Sequence, residues 1–187
     1  MSKDNRKSVV IYIVESLRRA GSWTCRTHIQ KSTYLLRDLC GVDLGYAFTL
    51  YKHGPYSFEL DADIEELRIM GALDYEVGRS DYGPRPRYKV GDAPSADKRE
   101  IDPSLSDDID SITSFFGKRD VRDLECVSTL VWCDKTSAGK PRGSNDLKSC
   151  VQKLKPHLSD AQIEENLSLL NQFKDGMQTG RKPARAT

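Results

Sequence analysis

The spacing of apolar residues is the feature that most limits what this chain can fold into. Apolar side chains recur at helical intervals through most of its length, and they alternate with polar ones, as in a strand, only in short stretches. The pattern is clearest at the start, where apolar residues between positions 9 and 17 lie on one face of a helix predicted over about 6–20. We therefore expect a mainly α fold with a small β component.

Glycines divide the first half of the chain into three predicted helices. Gly21 ends the first helix. The second begins at a cap formed by Thr24 or Thr27 and ends at Gly41. The third is predicted over about 57–70, because its first turn is acidic and a glycine follows it.

Strand-like alternation appears on both sides of the third helix. A short extended segment is predicted over 46–51, and the alternating segments 73–77 and 87–90 predict a β-hairpin. Turn-forming residues fill 78–86, so we expect the hairpin to have a long tip. Three helices followed by a hairpin are typical of a winged helix.

The second half of the chain is helical in pattern. Helices are predicted near 104–117, 120–137, 145–155 and 159–175. We therefore predict a winged-helix-like N-terminal core and a helical C-terminal part that packs on it. The expected division is a core over 1–91, a linker over 92–103, a helical extension over 104–176 and a flexible tail over 177–187.

Composition limits the class of protein. With 187 residues, 37% hydrophobic residues and a net charge of +1, the chain resembles an ordinary globular protein that can bury a core. The apolar run 9–14 is far shorter than the roughly 20 residues that cross a bilayer, and it is followed by two arginines rather than by a cleavage site. Local net charge is positive over 1–60 and 131–187 and negative over 61–130, so any nucleic-acid face must be local.

The cysteines and histidines indicate neither a metal site nor a cofactor. The five cysteines contain no C-x-x-C pair, and the three histidines are scattered. We expect a cytoplasmic protein that does not require disulfide staples, in which Cys133 is a small buried apolar side chain. Phosphate loops, nucleophile elbows and H-E-x-x-H pairs are absent, so the sequence favours a protein that is not an enzyme.

The string 51–57, Tyr-Lys-His-Gly-Pro-Tyr-Ser, is the most distinctive motif. Its Gly-Pro pair predicts a sharp turn between an extended segment and a capped helix, which favours an architectural role. The alternative is an exposed recognition patch. The aromatic and basic residues that flank the second and third helices are then the candidate partner-binding set: Trp23, Arg26, Lys52, His53 and Tyr56.

The predicted hairpin offers a different candidate surface. Arg79, Arg85, Arg87 and Lys89, with Tyr82 at the tip, form the set that a wing would use to reach phosphates. The third helix would enter the major groove in a DNA-binding winged helix. It carries acidic side chains that we expect to be exposed and to repel phosphate: Glu59, Asp61, Asp63, Glu65 and Glu66.

Four segments resemble a known family. The segments 28–31, 34–36, 51–57 and 67–73 look like the YwgA-like proteins, which are similar in turn to the SocA-like (Panacea) antitoxin domain. The resemblance is clearest over 8–78. It implies a small cytoplasmic prokaryotic protein with a winged-helix-like core, often encoded beside toxins or defence genes, and it implies no catalytic residue. Where the antitoxin domain usually has Gly-Pro-Val, this chain has Gly-Pro-Tyr.

Two classes of function follow from these patterns. The first is a non-enzymatic protein-interaction module of a toxin–antitoxin, defence or mobile-element system, whose partner is a toxin or another defence component. The second is a winged-helix nucleic-acid-binding regulator that uses the basic wing. We expect duplex DNA binding, if present, to be weak and to be lost steeply as salt is raised.

Overall fold

Helices dominate the fold. The computed structural model describes residues 3–80, 83–93, 101–136 and 143–179, and within them it contains seven helices and two separate two-stranded antiparallel sheets. The mainly α class with a small β-hairpin is confirmed. In chain order the elements are α1 (Lys3–Arg19), α2 (Arg26–Cys40), β1 (Thr49–Tyr51), β2 (Gly54–Tyr56), α3 (Phe58–Ile69), β3 (Leu73–Ser80), β4 (Gly83–Val90), α4 (Pro103–Phe116), α5 (Val121–Lys135), α6 (Ser144–Leu154) and α7 (Asp160–Gln178).

Side-chain caps begin four of the helices. Ser57, Asp102, Asp120 and Ser159 accept hydrogen bonds from backbone N–H groups of α3, α4, α5 and α7, which satisfies donors that a helix start leaves free. The predicted cap of α2 by Thr24 or Thr27 is wrong. The cap position is held by Cys25, whose side chain makes no capping hydrogen bond, and the hydroxyl of buried Thr24 donates to the Ser22 carbonyl instead.

The hairpin strands are longer than their alternation indicated. β3 continues to Ser80 and β4 starts at Gly83, so the predicted long tip is wrong; Asp81 and Tyr82 lie outside the described residues. Pro84 and Pro86 stand opposite Arg79 and Val77 in the register. They fit inside a strand because the missing proline N–H is tolerated where no ladder hydrogen bond is needed.

One hydrophobic core joins the two halves of the chain. Helices α4 and α5 pack against α1 and α2, and their buried apolar side chains form a single cluster. Polar contacts add to this packing: Ser16 Oγ donates to Asp110 Oδ1 at 2.5 Å, and Arg19 Nη2 donates to the same oxygen at 2.8 Å. At the C-terminus α7 runs to Gln178, so 177–178 are helical and not tail; 180–187 and most of the expected linker lie outside the described residues.

A disulfide bond joins α5 to α6. Cys133 is fully buried, as expected, but it is bonded to Cys150 rather than packed as a free thiol. A separation of 17 residues carries no local signal, since only the packing of α6 on α5 brings the two sulfurs together. The sequence therefore indicated that a disulfide is not required, and it did not predict this one.

No helix among the described residues combines the length and the apolar character needed to span a membrane.

Candidate partner-binding surface

The string 51–57 forms a tight β-hairpin. Tyr51 in β1 pairs with Gly54 in β2, so Lys52 and His53 lie at the exposed turn. Gly54 has a φ of 83°, and a Cβ added there would lie 3.0 Å from Ser128 Oγ and 3.2 Å from Thr129 Oγ1 of α5. The left-handed backbone and the close approach to α5 both favour glycine at this position.

Three aromatic rings cluster beside this turn. Tyr51 is 54% exposed and Phe58 is 60% exposed, and Tyr56 lies between them. The ring centroids are 5.2–5.8 Å apart in tilted and edge-to-face arrangements. We call the set Tyr51, Lys52, His53, Tyr56 and Phe58 the turn surface.

Buried polar side chains hold the turn from below. Lys31 Nζ donates to the Pro55 carbonyl at 2.7 Å. Lys155 Nζ donates to the carbonyls of Tyr51, at 3.1 Å, and Lys52. Because both lysines are at least 95% buried, the backbone of the turn is fixed by contacts that water does not weaken.

An amide side chain fixes the exit from the turn. Gln30 Nε2 donates to the Ser57 carbonyl, and the Ser57 N–H donates to Gln30 Oε1, both at 2.9 Å. Ser57 then caps α3, so Phe58 is placed directly after a clamped residue.

A buried carboxylate forms an ion pair with one of the two lysines. Glu125 is 2% exposed, and its Oε1 lies 2.9 Å from Lys155 Nζ as an ion pair. Burial raises the pKa of Glu125, but Lys155 and His157 outweigh that effect and the pKa is lowered, so the group is a carboxylate. Burial lowers the pKa of Lys31 to about 7, with Glu125 opposing this shift and Lys155 adding to it.

Two histidines meet the other oxygen of this carboxylate at the surface. His157 Nε2 lies 3.3 Å from Glu125 Oε2 and His53 Nδ1 lies 3.7 Å from it, and at least half of each imidazole side chain is exposed. In the described ranges no group of three or more His, Cys, Asp or Glu side chains is arranged to hold a metal ion. The carboxylate of Glu125 is therefore in contact with Lys155 on the buried side and with His53 and His157 on the exposed side.

The structure brings together three of the five predicted partner-binding residues and places the other two elsewhere. Lys52, His53 and Tyr56 lie together in the turn surface. Arg26 lies beside it, bound to Asp61 and Glu65 of α3 and to the hydroxyl of Tyr88.

Trp23 lies apart from the turn surface. Its ring packs under the guanidinium of Arg87 at 5.0 Å, and it faces Gly78 on the β3–β4 hairpin. Trp23 therefore supports the β3–β4 hairpin rather than extending the aromatic cluster.

Most of the predicted wing cations have partners within the protein. Arg87 donates to the carbonyls of Ser22 and Trp23, and Lys89 lies 3.4 Å from Asp74 across the strand pair. Arg79 is exposed and Arg85 is exposed with a further contact. Because these cations already have partners, they would contribute less to the free energy of phosphate binding.

The acidic residues of α3 are less exposed than predicted. Asp63 is 5% exposed, and it accepts hydrogen bonds from Arg6 Nε at 2.8 Å and Tyr46 OH at 2.9 Å, so its expected exposure is wrong. The reason is the packing of α1 against α3, which turns this carboxylate inward. Glu66 pairs with Lys7 of α1 at 2.5 Å, and both Glu66 and Glu59 are exposed as predicted.

Sequence reasoning missed several residues of this region. Phe58 and Tyr51 were not singled out as exposed, although each lies in or next to the distinctive string. Glu125 was not singled out as a candidate site residue either, and its side chain is buried against Lys155. An ionisable residue between apolar neighbours, as in Leu124-Glu125-Cys126, was the one available signal of burial.

No protein-family model matches the chain, and a search of characterised proteins found no significant match.

Proposed function

We propose that this protein is a non-enzymatic interaction module that captures a partner protein with the turn surface. In this proposal its first 91 residues act as a winged-helix-like core of the YwgA and SocA type. It works in the prokaryotic cytoplasm as part of a toxin–antitoxin, defence or mobile-element system, and its partner is a toxin or another defence component.

The observation that carries the proposal is the exposure of Tyr51 and Phe58 on a rigid support. Aromatic side chains that are more than half exposed and grouped together are typical of the centre of an interface. Lys31, Lys155 and Gln30 hold their backbone in place, so little ordering entropy would be lost on binding. Lys52 and His53 add positive or polar character at the rim.

The nucleic-acid alternative has less support. Arg87 is bonded to the carbonyls of Ser22 and Trp23, Lys89 pairs with Asp74, and the exposed part of α3 carries Glu59 and Glu66. Weak, salt-sensitive binding to duplex DNA is compatible with the proposal. A salt-tolerant, sequence-specific complex of nanomolar affinity in a gel-shift titration would contradict it.

The cytoplasmic location has its own test. A disulfide is unusual in a reducing compartment, so the Cys133–Cys150 pair is expected to be largely reduced in intact cells. Thiol trapping in whole cells followed by mass spectrometry measures the reduced fraction. A fully oxidised pair in the cell would contradict the cytoplasmic assignment.

The interaction itself is tested by a pair of matched substitutions in α3. The tagged chain is co-expressed with the product of each adjacent gene, and complexes are measured by affinity capture and by rescue of growth. Phe58→Asp should weaken the complex at least about tenfold, because a charge would be desolvated at the centre of the interface. Ile69→Asp, at the other end of the same helix and 78% exposed, is the control and should leave affinity unchanged.

Circular dichroism of both variants separates binding from folding. A folded Phe58→Asp variant that keeps its partner at full affinity would rule out the turn surface. Equal loss in both variants would do the same.

A further inference from the structure

The two edges of the β3–β4 hairpin differ in their capacity to pair with another strand. The Tyr88 N–H donates to the Thr24 carbonyl, so it points away from β3. Tyr75 and Tyr88 are therefore a pair without ladder hydrogen bonds, and in an antiparallel sheet every second pair is of this kind. The pairs Val77 with Pro86 and Arg79 with Pro84 belong to the same set.

This geometry blocks the outer edge of β4. Pro84 and Pro86 have no N–H at the positions that would face a further strand, and the Tyr88 N–H is already bonded. Prolines placed in this way are a common protection against edge pairing.

The outer edge of β3 has no such protection at its centre. The N–H and C=O groups of Val77 and Arg79 point outward, and in the part of the chain that the structure describes no backbone or side-chain group pairs with them. The Tyr75 N–H is bonded to Asp74 Oδ1 at 2.7 Å, which leaves its carbonyl outward. Val77 is 69% exposed and Tyr75 is 46% exposed, so apolar side chains flank the free edge.

We infer that this free edge pairs with the β3 edge of a second copy of the chain, antiparallel about a two-fold axis at Val77, to form a four-stranded sheet. The Val77 N–H of each copy donates to the Val77 carbonyl of the other, and the Arg79 N–H donates to the Tyr75 carbonyl. The same edge serves both copies, which is the requirement of a two-fold interface.

The side chains of this register complement one another. Val77 meets Val77 of the other copy, and Arg79 meets the ring of Tyr75, which is a favourable cation–π pairing. On the opposite face Glu76 meets Gly78, so no like charges stand opposite each other. This self-complementarity favours a second copy over an unrelated strand, and it is independent of the turn surface and of the function proposed above.

The pairing would also extend a small sheet. The β3–β4 hairpin is supported on one side by its packing on α1 and α3, and a four-stranded sheet would add to that support. Tyr75, Val77 and Pro86 line a groove of about 610 Å³ together with charged residues of α2, α3 and β4. A four-stranded sheet would place the Tyr75 and Val77 side chains of the two copies side by side.

The test is the oligomeric state of the full chain as a function of concentration. Light scattering and sedimentation from about 1 μM to about 1 mM should show a monomer–dimer equilibrium for the wild type. Val77→Lys brings two ammonium groups together at the axis and should weaken the dimer at least about tenfold. Val77→Pro should do the same by removing the outward N–H, as Pro86 does on β4, without loss of a ladder hydrogen bond.

Met177→Lys is the matched control, since it makes the same type of change at an exposed apolar residue near the end of α7. It should leave the dimer unchanged. Hydrogen exchange should also slow with concentration at the amides of Val77 and Arg79. The inference is overturned if the wild type stays monomeric at all concentrations. It is also overturned if Val77→Lys and Met177→Lys weaken the dimer equally, or if hydrogen exchange at the Val77 amide does not change with concentration.

Discussion

At the residue scale the protein depends on ionisable side chains in unusual surroundings. Lys31 and Glu125 lie buried under the turn surface. The pKa of Lys31 is lowered by burial, and the pKa of Glu125 is lowered by its basic neighbours. Cys25 is a second case, at the start of α2. Both cases lead to measurements on single residues.

Lys31 should make stability depend on pH. Its folded pKa of about 7 lies below the ordinary lysine value, so the unfolded chain binds more protons between pH 7 and pH 10.5, and stability rises with pH in that window. Relative to Lys31→Met, the wild type should gain about 4 kcal/mol of unfolding free energy across it. Urea unfolding at both pH values measures this difference.

The control for Lys31 is the same substitution at the exposed turn residue Lys52. Comparing Lys31→Met with Lys52→Met shows whether the pH response depends on burial. An identical pH response in the two variants would contradict the assignment of the effect to Lys31.

Cys25 should be the most reactive free thiol at neutral pH. Burial raises its pKa, but the contact of its Sγ with His28 Nδ1 at 3.0 Å and the N–H groups of Thr27 and His28 outweigh that effect and lower it to about 7. His28→Ala should slow alkylation by iodoacetamide at pH 7 about tenfold. Mass spectrometry of the labelled sites follows the rate.

Cys40 is the internal reference for Cys25. Burial and Asp108 raise the pKa of Cys40 to about 12, so its alkylation should be much slower in the same sample. Equal rates at the two thiols, or a folded His28→Ala variant with an unchanged rate at Cys25, would show that His28 does not activate Cys25.

At the element scale the β1–β2 hairpin is the unit that joins the two halves of the chain at the turn surface. Gly54 brings its backbone against α5, and Lys155 reaches it from the end of α6. Its conformation is therefore set by distant parts of the chain as well as by its own Gly-Pro pair.

Alanine substitutions at two glycines distinguish the cost of backbone strain from the cost of close packing. Gly54→Ala combines a positive φ with contacts of 3.0–3.2 Å to α5, whereas Gly45→Ala has a φ of 75° and nothing within 4 Å. We expect a loss of about 1 kcal/mol for Gly45→Ala and about 2–4 kcal/mol for Gly54→Ala. Equal losses in chemical unfolding would show that the approach to α5 is not tight.

At the scale of the whole molecule, one core and one covalent link hold the helices of the second half. The Cys133–Cys150 disulfide ties α6 to α5, and α5 packs in turn on α2. The bond therefore limits the opening of the part of the chain that carries Lys155.

Reduction of this disulfide should lower stability. A crosslink that closes a loop of 17 residues contributes about 3 kcal/mol in the chain-entropy description. Dithiothreitol should therefore lower the melting temperature of the wild type and leave that of the Cys133→Ala, Cys150→Ala double variant unchanged. An equal shift in both proteins would mean that the reductant acts elsewhere.

The sequence by itself determined the class of fold and the order of its helices and of the β3–β4 hairpin, but it predicted one extended segment over 46–51 where the structure has β1 paired with β2. Helical spacing of apolar residues and the glycines and caps that end or begin each helix act over a few residues, so α1, α3 and the four C-terminal helices were predicted to within a few positions. The break in the string 51–57 was also predicted from local residues, but the turn falls at Lys52 and His53, and the Gly54-Pro55 pair lies in β2.

Only the tertiary structure decided which side chains meet. The burial of Asp63, the cluster of Lys31, Glu125 and Lys155, and the Cys133–Cys150 bond each join residues from separate elements. The same holds for the edges of the hairpin, because the free edge of β3 is identified by the bond from Tyr88 to Thr24. Such contacts depend on how helices and strands pack, and periodicity along the chain carries no record of that packing.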